Sequence, residues 1–99
     1  GIRSSVICPQ YVASSMLGYT ADDIIPDHPS LLQPIDVAHT VIDGMKEQHF
    51  LILPHPIVGE YAKLRASDPE KWIKGMQKLR RRILSQTDGI DPKTMHLLV

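Results

Sequence analysis

Five histidines, a cluster of aspartates, one cysteine and a run of arginines are the side chains here with obvious chemistry to offer. His28, His39, His49, His55 and His96 never fall four residues apart, the spacing that puts two imidazoles on one helical face to share a metal. Asp22, Asp23 and Asp27 with His28 have the ligand types for a cation. Set among prolines and glycine, they read better as a solvated loop. Cys8 ends a short apolar run with no base beside it in sequence, so it reads as a structural thiol rather than a nucleophile. Arg80, Arg81 and Arg82 with Lys71, Lys74 and Lys78 have the charge to meet phosphates. Their spacing instead puts them on the polar face of an amphipathic helix, close to a C-terminus where cations are favoured. The glycines at 1, 18, 44, 59, 75 and 89 have no spacing that builds a phosphate-binding loop. The stretch after Pro9 remains, a loop that Met16, Leu17, Ile24, Ile25, Leu31 and Leu32 keep from being purely polar. A long loop carrying apolar residues is more often a lid or binding loop than a linker.

The elements that must position such a loop follow from the apolar pattern. Residues 3 to 8 read as a strand closed by Pro9, which cannot donate to a central ladder. Residues 9 to 33 read as irregular with a short helix, since they hold Pro9, Gly18, Pro26 and Pro29. Pro34 suits the first position of a helix, and Asp36 then lies in its first turn. Ile35, Ala38, Val41, Ile42 and Met45 share one face of that helix, and Gly44 weakens its end. Phe50-Leu51-Ile52-Leu53 reads as a second strand, stopped by Pro54 and Pro56. An apolar run without alternation suits a parallel sheet covered on both faces. Residues 3 to 53 are thus expected to form a βαβ unit. Val58 to Ala66 forms a short helix. Asp68-Pro69 then caps another, in which Trp72, Met76, Leu79 and Ile83 make a stripe to about Leu84. Gln86 to Pro92 is turn-rich.

Bulk composition narrows the field. At 99 residues the chain is one small domain, with a balanced eleven basic and eleven acidic residues. A net charge of zero gives no general electrostatic reason to bind nucleic acid or an anionic membrane. No apolar run approaches the roughly 18 residues that span a bilayer. A single cysteine fits a reducing compartment, and a cytoplasmic location is expected.

The order of these pieces carries a resemblance. Pro9-Gln10-Tyr11-Val12-Ala13-Ser14-Ser15-Met16 resembles the Pro-Gly-x-Val-x-Thr-x-Met segment of the short-chain dehydrogenase/reductase family. Pro34-Ile35-Asp36-Val37-Ala38 looks like that family's Pro-Glu-Asp-Val-Ala, Phe50 to Pro54 is similar to its last strand, and Asp68 to Trp72 is similar to a late helix of some members. Together they cover about residues 2 to 84 in family order. The resemblance implies the carboxy-terminal part of a doubly wound, Rossmann-like α/β fold in which residues 1 to 99 form one partial domain. It implies a parent enzyme that transfers hydride between NAD or NADP and an alcohol or carbonyl substrate. In that parent, Pro9, Gln10, Val12 and Ser14 would meet the cofactor, and Tyr11, Met16 and Leu17 would border the substrate pocket. Gln10 stands where the family has glycine, which suggests a reshaped nicotinamide pocket.

The family's glycine-rich loop and its Ser and Tyr-x-x-x-Lys set lie upstream of the matched segment. Tyr61 is followed four residues on by Arg65, which stays protonated and cannot replace the lysine. No catalytic residue is therefore expected in this chain. Its partners are expected to be the upstream portion of the same enzyme and further copies in a homo-oligomer. The absence of an initiator Met and an almost immediate strand suggest cleavage from a longer chain. The competing expectation is a non-enzymatic interaction module with a cut-down dehydrogenase fold.

Overall fold

Prolines and one aspartate set most of the element boundaries in the computed structural model, which describes residues 1–86 and 89–99. In chain order the elements are β1 (Val6–Ile7), β2 (Tyr11–Val12), a 3-10 turn (Ser15–Leu17), β3 (Leu31–Leu32), α1 (Pro34–Lys46), β4 (Leu51–Ile52), α2 (Ile57–Ser67), α3 (Pro69–Leu84) and a closing 3-10 helix (Pro92–Leu98). β1 and β4 are parallel, with Val6 opposite Leu51 and Ile7 opposite Ile52. The Val6 N–H donates to the Phe50 carbonyl at 2.6 Å and the Cys8 N–H to the Ile52 carbonyl at 3.1 Å. The strand–helix–strand unit expected over residues 3 to 53 is present, with shorter strands. The chain is therefore mixed α/β.

The connection between β1 and α1 is more ordered than its composition suggests. β2 and β3 form a second parallel pair, with Tyr11 opposite Leu31 and Val12 opposite Leu32. Ala13, Tyr19 and Leu31 form a small buried cluster beneath it, with Tyr11, Leu17 and Ile25 packed alongside. Gly18 ends the 3-10 turn at φ 85°, a left-handed conformation that favours glycine. Residues 9 to 33 are thus a ledge with its own core.

Each helix has a local reason for its limits. α1 starts at Pro34, with Asp36 in its first turn and Lys46 in its last, both complementing the helix dipole. Its end is a Schellman motif: Gln48 N–H donates to the Met45 carbonyl at 3.1 Å, and His49 N–H to the Gly44 carbonyl at 2.9 Å. Gln48 sits at φ 61°, where glycine is usual. The Asp68 side chain accepts from the Lys71 N–H at 3.0 Å and caps α3, with Pro69 at the first helical position. α2 and α3 pack as a hairpin, with the Arg65 guanidinium 5.0 Å from the Trp72 ring centroid. Thr87 and Asp88, in the turn expected between Gln86 and Pro92, lie outside the described residues.

Two packing expectations need correction. The strands are not covered on both faces: Ile52 is 3% exposed, but Val6, Ile7 and Leu51 are 43%, 44% and 52% exposed. Cys8, expected in a buried strand, is half-buried just beyond β1. The apolar face of α1 is likewise open at Ile35, Ile42 and Met45. The reason is that α1 meets the sheet through a narrow contact at Gly44 and, among the described residues, no second layer lies over the rest. A Cβ on Gly44 would come within 2.9 Å of the Ile52 side chain. Gly44 is thus a close-approach position as well as a residue of low helix propensity. The accessible surface is 7649 Å². A compact monomer of this mass would expose about 5,700 Å². The radius of gyration is 15.8 Å, against about 13 Å for a compact domain of this length.

Candidate functional site

In open α/β sheets ligands gather outside the carboxyl ends of the parallel strands. At that end of β1 lies Cys8-Pro9-Gln10, and at that end of β4 lies Leu53-Pro54-His55-Pro56. One side chain joins the two. His55 is only 1% exposed, and its ring meets the backbone of the facing segment at both nitrogens. The Gln10 N–H donates to His55 Nδ1 at 2.9 Å, and His55 Nε2 lies 3.0 Å from the Tyr11 carbonyl oxygen. Because Nδ1 must accept, the neutral ring carries its proton on Nε2, which then donates to Tyr11.

The residues singled out from the sequence are partly brought together. Pro9, Gln10, Tyr11 and Val12 run continuously from the end of β1 into β2. Gln10 does not have a left-handed backbone, so its side chain costs no backbone strain there. Its Oε1 is buried without a hydrogen-bond partner. Ser14 precedes the 3-10 turn and makes no side-chain cap; its carbonyl accepts from the Leu17 and Tyr19 N–H groups at 3.0 and 3.1 Å. Tyr11 and Leu17 pack on the Ala13–Tyr19–Leu31 cluster, whereas Met16 is 90% exposed and stands apart from them.

A second cluster lies where the closing 3-10 helix meets the ledge. The Tyr19 hydroxyl donates to the Lys93 carbonyl at 3.0 Å, and Lys93 Nζ pairs with Asp23 Oδ2 at 3.1 Å. The Thr20 N–H donates to the same Asp23 oxygen at 2.7 Å. That backbone bond, together with Lys93, holds the Asp23 carboxyl below its ordinary value. His28 and His96 meet edge to face, their centroids 4.9 Å apart. Tyr19, Asp23, His28, Lys93 and His96 help to line a cleft of about 350 Å³ here. Among the described residues no group of three or more His, Cys, Asp or Glu side chains is placed to hold a metal ion. Among the described residues no helix is long and apolar enough to cross a membrane.

Sequence reasoning missed His55 and Lys93. His55 had a signal: it sits between two prolines just past an apolar strand, where the backbone has little freedom. Lys93 had none, since its partners Asp23 and Tyr19 are about seventy residues away. No protein family, no curated protein and no solved structure matches this chain.

Proposed function

We propose that this chain forms the carboxy-terminal part of a Rossmann-like NAD(P)-dependent oxidoreductase that interconverts an alcohol and a carbonyl by hydride transfer. The observation that carries the reading is the parallel β1–β4 pair with Pro9–Ser14 standing at its carboxyl end. That is where an α/β sheet receives a ligand, and it is also the segment that resembles the cofactor-side motif of short-chain dehydrogenases. In this reading Pro9, Gln10, Val12 and Ser14 face the nicotinamide end of NAD or NADP through backbone groups and one hydroxyl. Tyr11, Met16 and Leu17 belong to the substrate side.

The open apolar faces of β1, β4 and α1 support the same reading. They are the surfaces that upstream strands and helices of such a fold would cover. The phosphate-binding and catalytic groups would come from those upstream elements, and the whole enzyme would work in the cytoplasm as a homo-oligomer.

Two measurements test this together. Calorimetry on the 99-residue chain should detect no binding of NAD(H) or NADP(H). A longer protein that carries this chain behind its natural upstream sequence should bind one of the two and reduce carbonyl compounds with it. Stoichiometric dinucleotide binding by the isolated chain, or none by the longer protein, would overturn the reading. The second result would favour an interaction module.

A further inference from the structure

His55 is the most deeply buried side chain described, yet it is an imidazole with two polar atoms. A buried polar group needs partners, and each nitrogen of His55 has one, at 2.9 and 3.0 Å. The partners are not side chains. They are the N–H at the start and the C=O at the end of the Gln10–Tyr11 dipeptide. One ring therefore brackets that dipeptide and restrains the rotations on either side of the peptide bond between its residues. The ring is itself restrained, because His55 lies between Pro54, which is buried, and Pro56. Proline fixes its own φ and pushes the residue before it towards extended backbone. The contact spans forty-five positions of sequence and closes the carboxyl ends of both strands of the parallel pair.

We infer that His55 is the positioning residue of the Pro9–Ser14 segment, acting through the Gln10 and Tyr11 backbone and setting the segment's shape before any ligand arrives. The identity of that ligand, the nicotinamide end of NAD or NADP, rests on the reading above; the preorganisation does not. A segment already held in its binding shape loses less conformational entropy when a ligand docks. With the N–H this segment offers at Nδ1 and the carbonyl it offers at Nε2, the ring takes the Nε2-protonated tautomer and satisfies both groups at once.

The test uses the chain as it stands. NMR should find His55 Nδ1 unprotonated and Nε2 protonated. Amide hydrogen exchange should find the Gln10 N–H slow without ligand. In His55→Leu the Gln10 amide should exchange roughly tenfold faster, as expected for loss of one buried hydrogen bond, while the Val6 and Cys8 amides of the sheet ladder keep their rates. His55→Asn places an amide oxygen near the position of Nδ1 and should restore slow exchange at Gln10; His55→Gln should not. If the Leu variant fails to fold, the contrast between Asn and Gln decides. The opposite tautomer, a Gln10 amide indifferent to all three substitutions, or equal acceleration of Gln10, Val6 and Cys8 would overturn the inference. None of these measurements uses a dinucleotide. A longer protein without dehydrogenase activity would therefore sink the functional reading and leave them unmoved.

Discussion

At Gly44, helix propensity and packing pull in opposite directions. Inside a helix, alanine is favoured over glycine by about 1 kcal/mol. Here the added methyl would meet Ile52 at 2.9 Å, and Ile52 is the buried residue of β4. Overpacking of this kind costs about 1–3 kcal/mol, so Gly44→Ala should lower stability in urea unfolding. Ile52→Val in the same chain removes one of the two carbons at 2.9 Å, Cδ1, and should recover part of the loss; strict additivity of the two changes would contradict the contact. Gln48 is the converse case. It holds φ 61° with a Cβ that clashes there, at a cost of about 1–2 kcal/mol. Gln48→Gly should therefore raise stability by about 0.5–1 kcal/mol once the entropy of glycine is counted, read as a higher urea midpoint. Neither role was legible in the sequence. Gly44 looked like a weakened helix end because its partner lies in the next strand, and the left-handed cap carries no glycine to announce it. By contrast, Asp68 and Pro69 announced the start of α3 without any tertiary information, because a cap is made within four residues.

Among the elements, the closing 3-10 helix depends on the ledge at Tyr19 to His28, and one of its ties is ionic. The Thr20 N–H and Lys93 lower the Asp23 carboxyl below its ordinary 3.8. A carboxyl depressed on folding contributes stability above its unfolded value, and that contribution is lost as pH falls through the folded value. Through the Lys93 share of that effect, docking of Pro92–Leu98 should weaken as pH falls below the ordinary carboxyl value of 3.8, seen as a lower protection factor at the Thr94 amide once its intrinsic exchange rate is divided out. Asp23→Asn should flatten that dependence, and an unchanged profile in the variant would assign it elsewhere. The ledge itself marks a limit of pattern reading. β2 and β3 are two residues each, too short for an alternation to register. Their pairing comes from tertiary contact with the Ala13–Tyr19–Leu31 cluster. The α1, α2 and α3 spans, each longer than ten residues, were legible to within one or two positions.

For the whole molecule, the order strand, helix, parallel strand could be read from where prolines interrupt apolar runs. The degree of covering could not, since an apolar strand residue looks the same whether or not a second layer exists. The result is about 2,000 Å² more surface than a compact chain of this mass would show. A standard protein–protein interface takes about 800 Å² from each partner, so there is ample surface for self-association, with Val6, Ile7, Ile35, Ile42, Met45 and Leu51 exposed on it. Sedimentation at micromolar concentration should find an oligomer; a single monomeric species with a cooperative thermal transition would contradict this. The same excess surface has a consequence for cooperativity. The unfolded chain would expose about 16,000 Å². A monomer of this shape therefore uncovers about 8,500 Å² on unfolding, roughly a fifth less than a compact protein of equal length. The steepness of a urea transition follows that newly uncovered area. On dilution to monomer, the urea slope should fall about a fifth below the size-expected value, and it should steepen again as protein concentration rises.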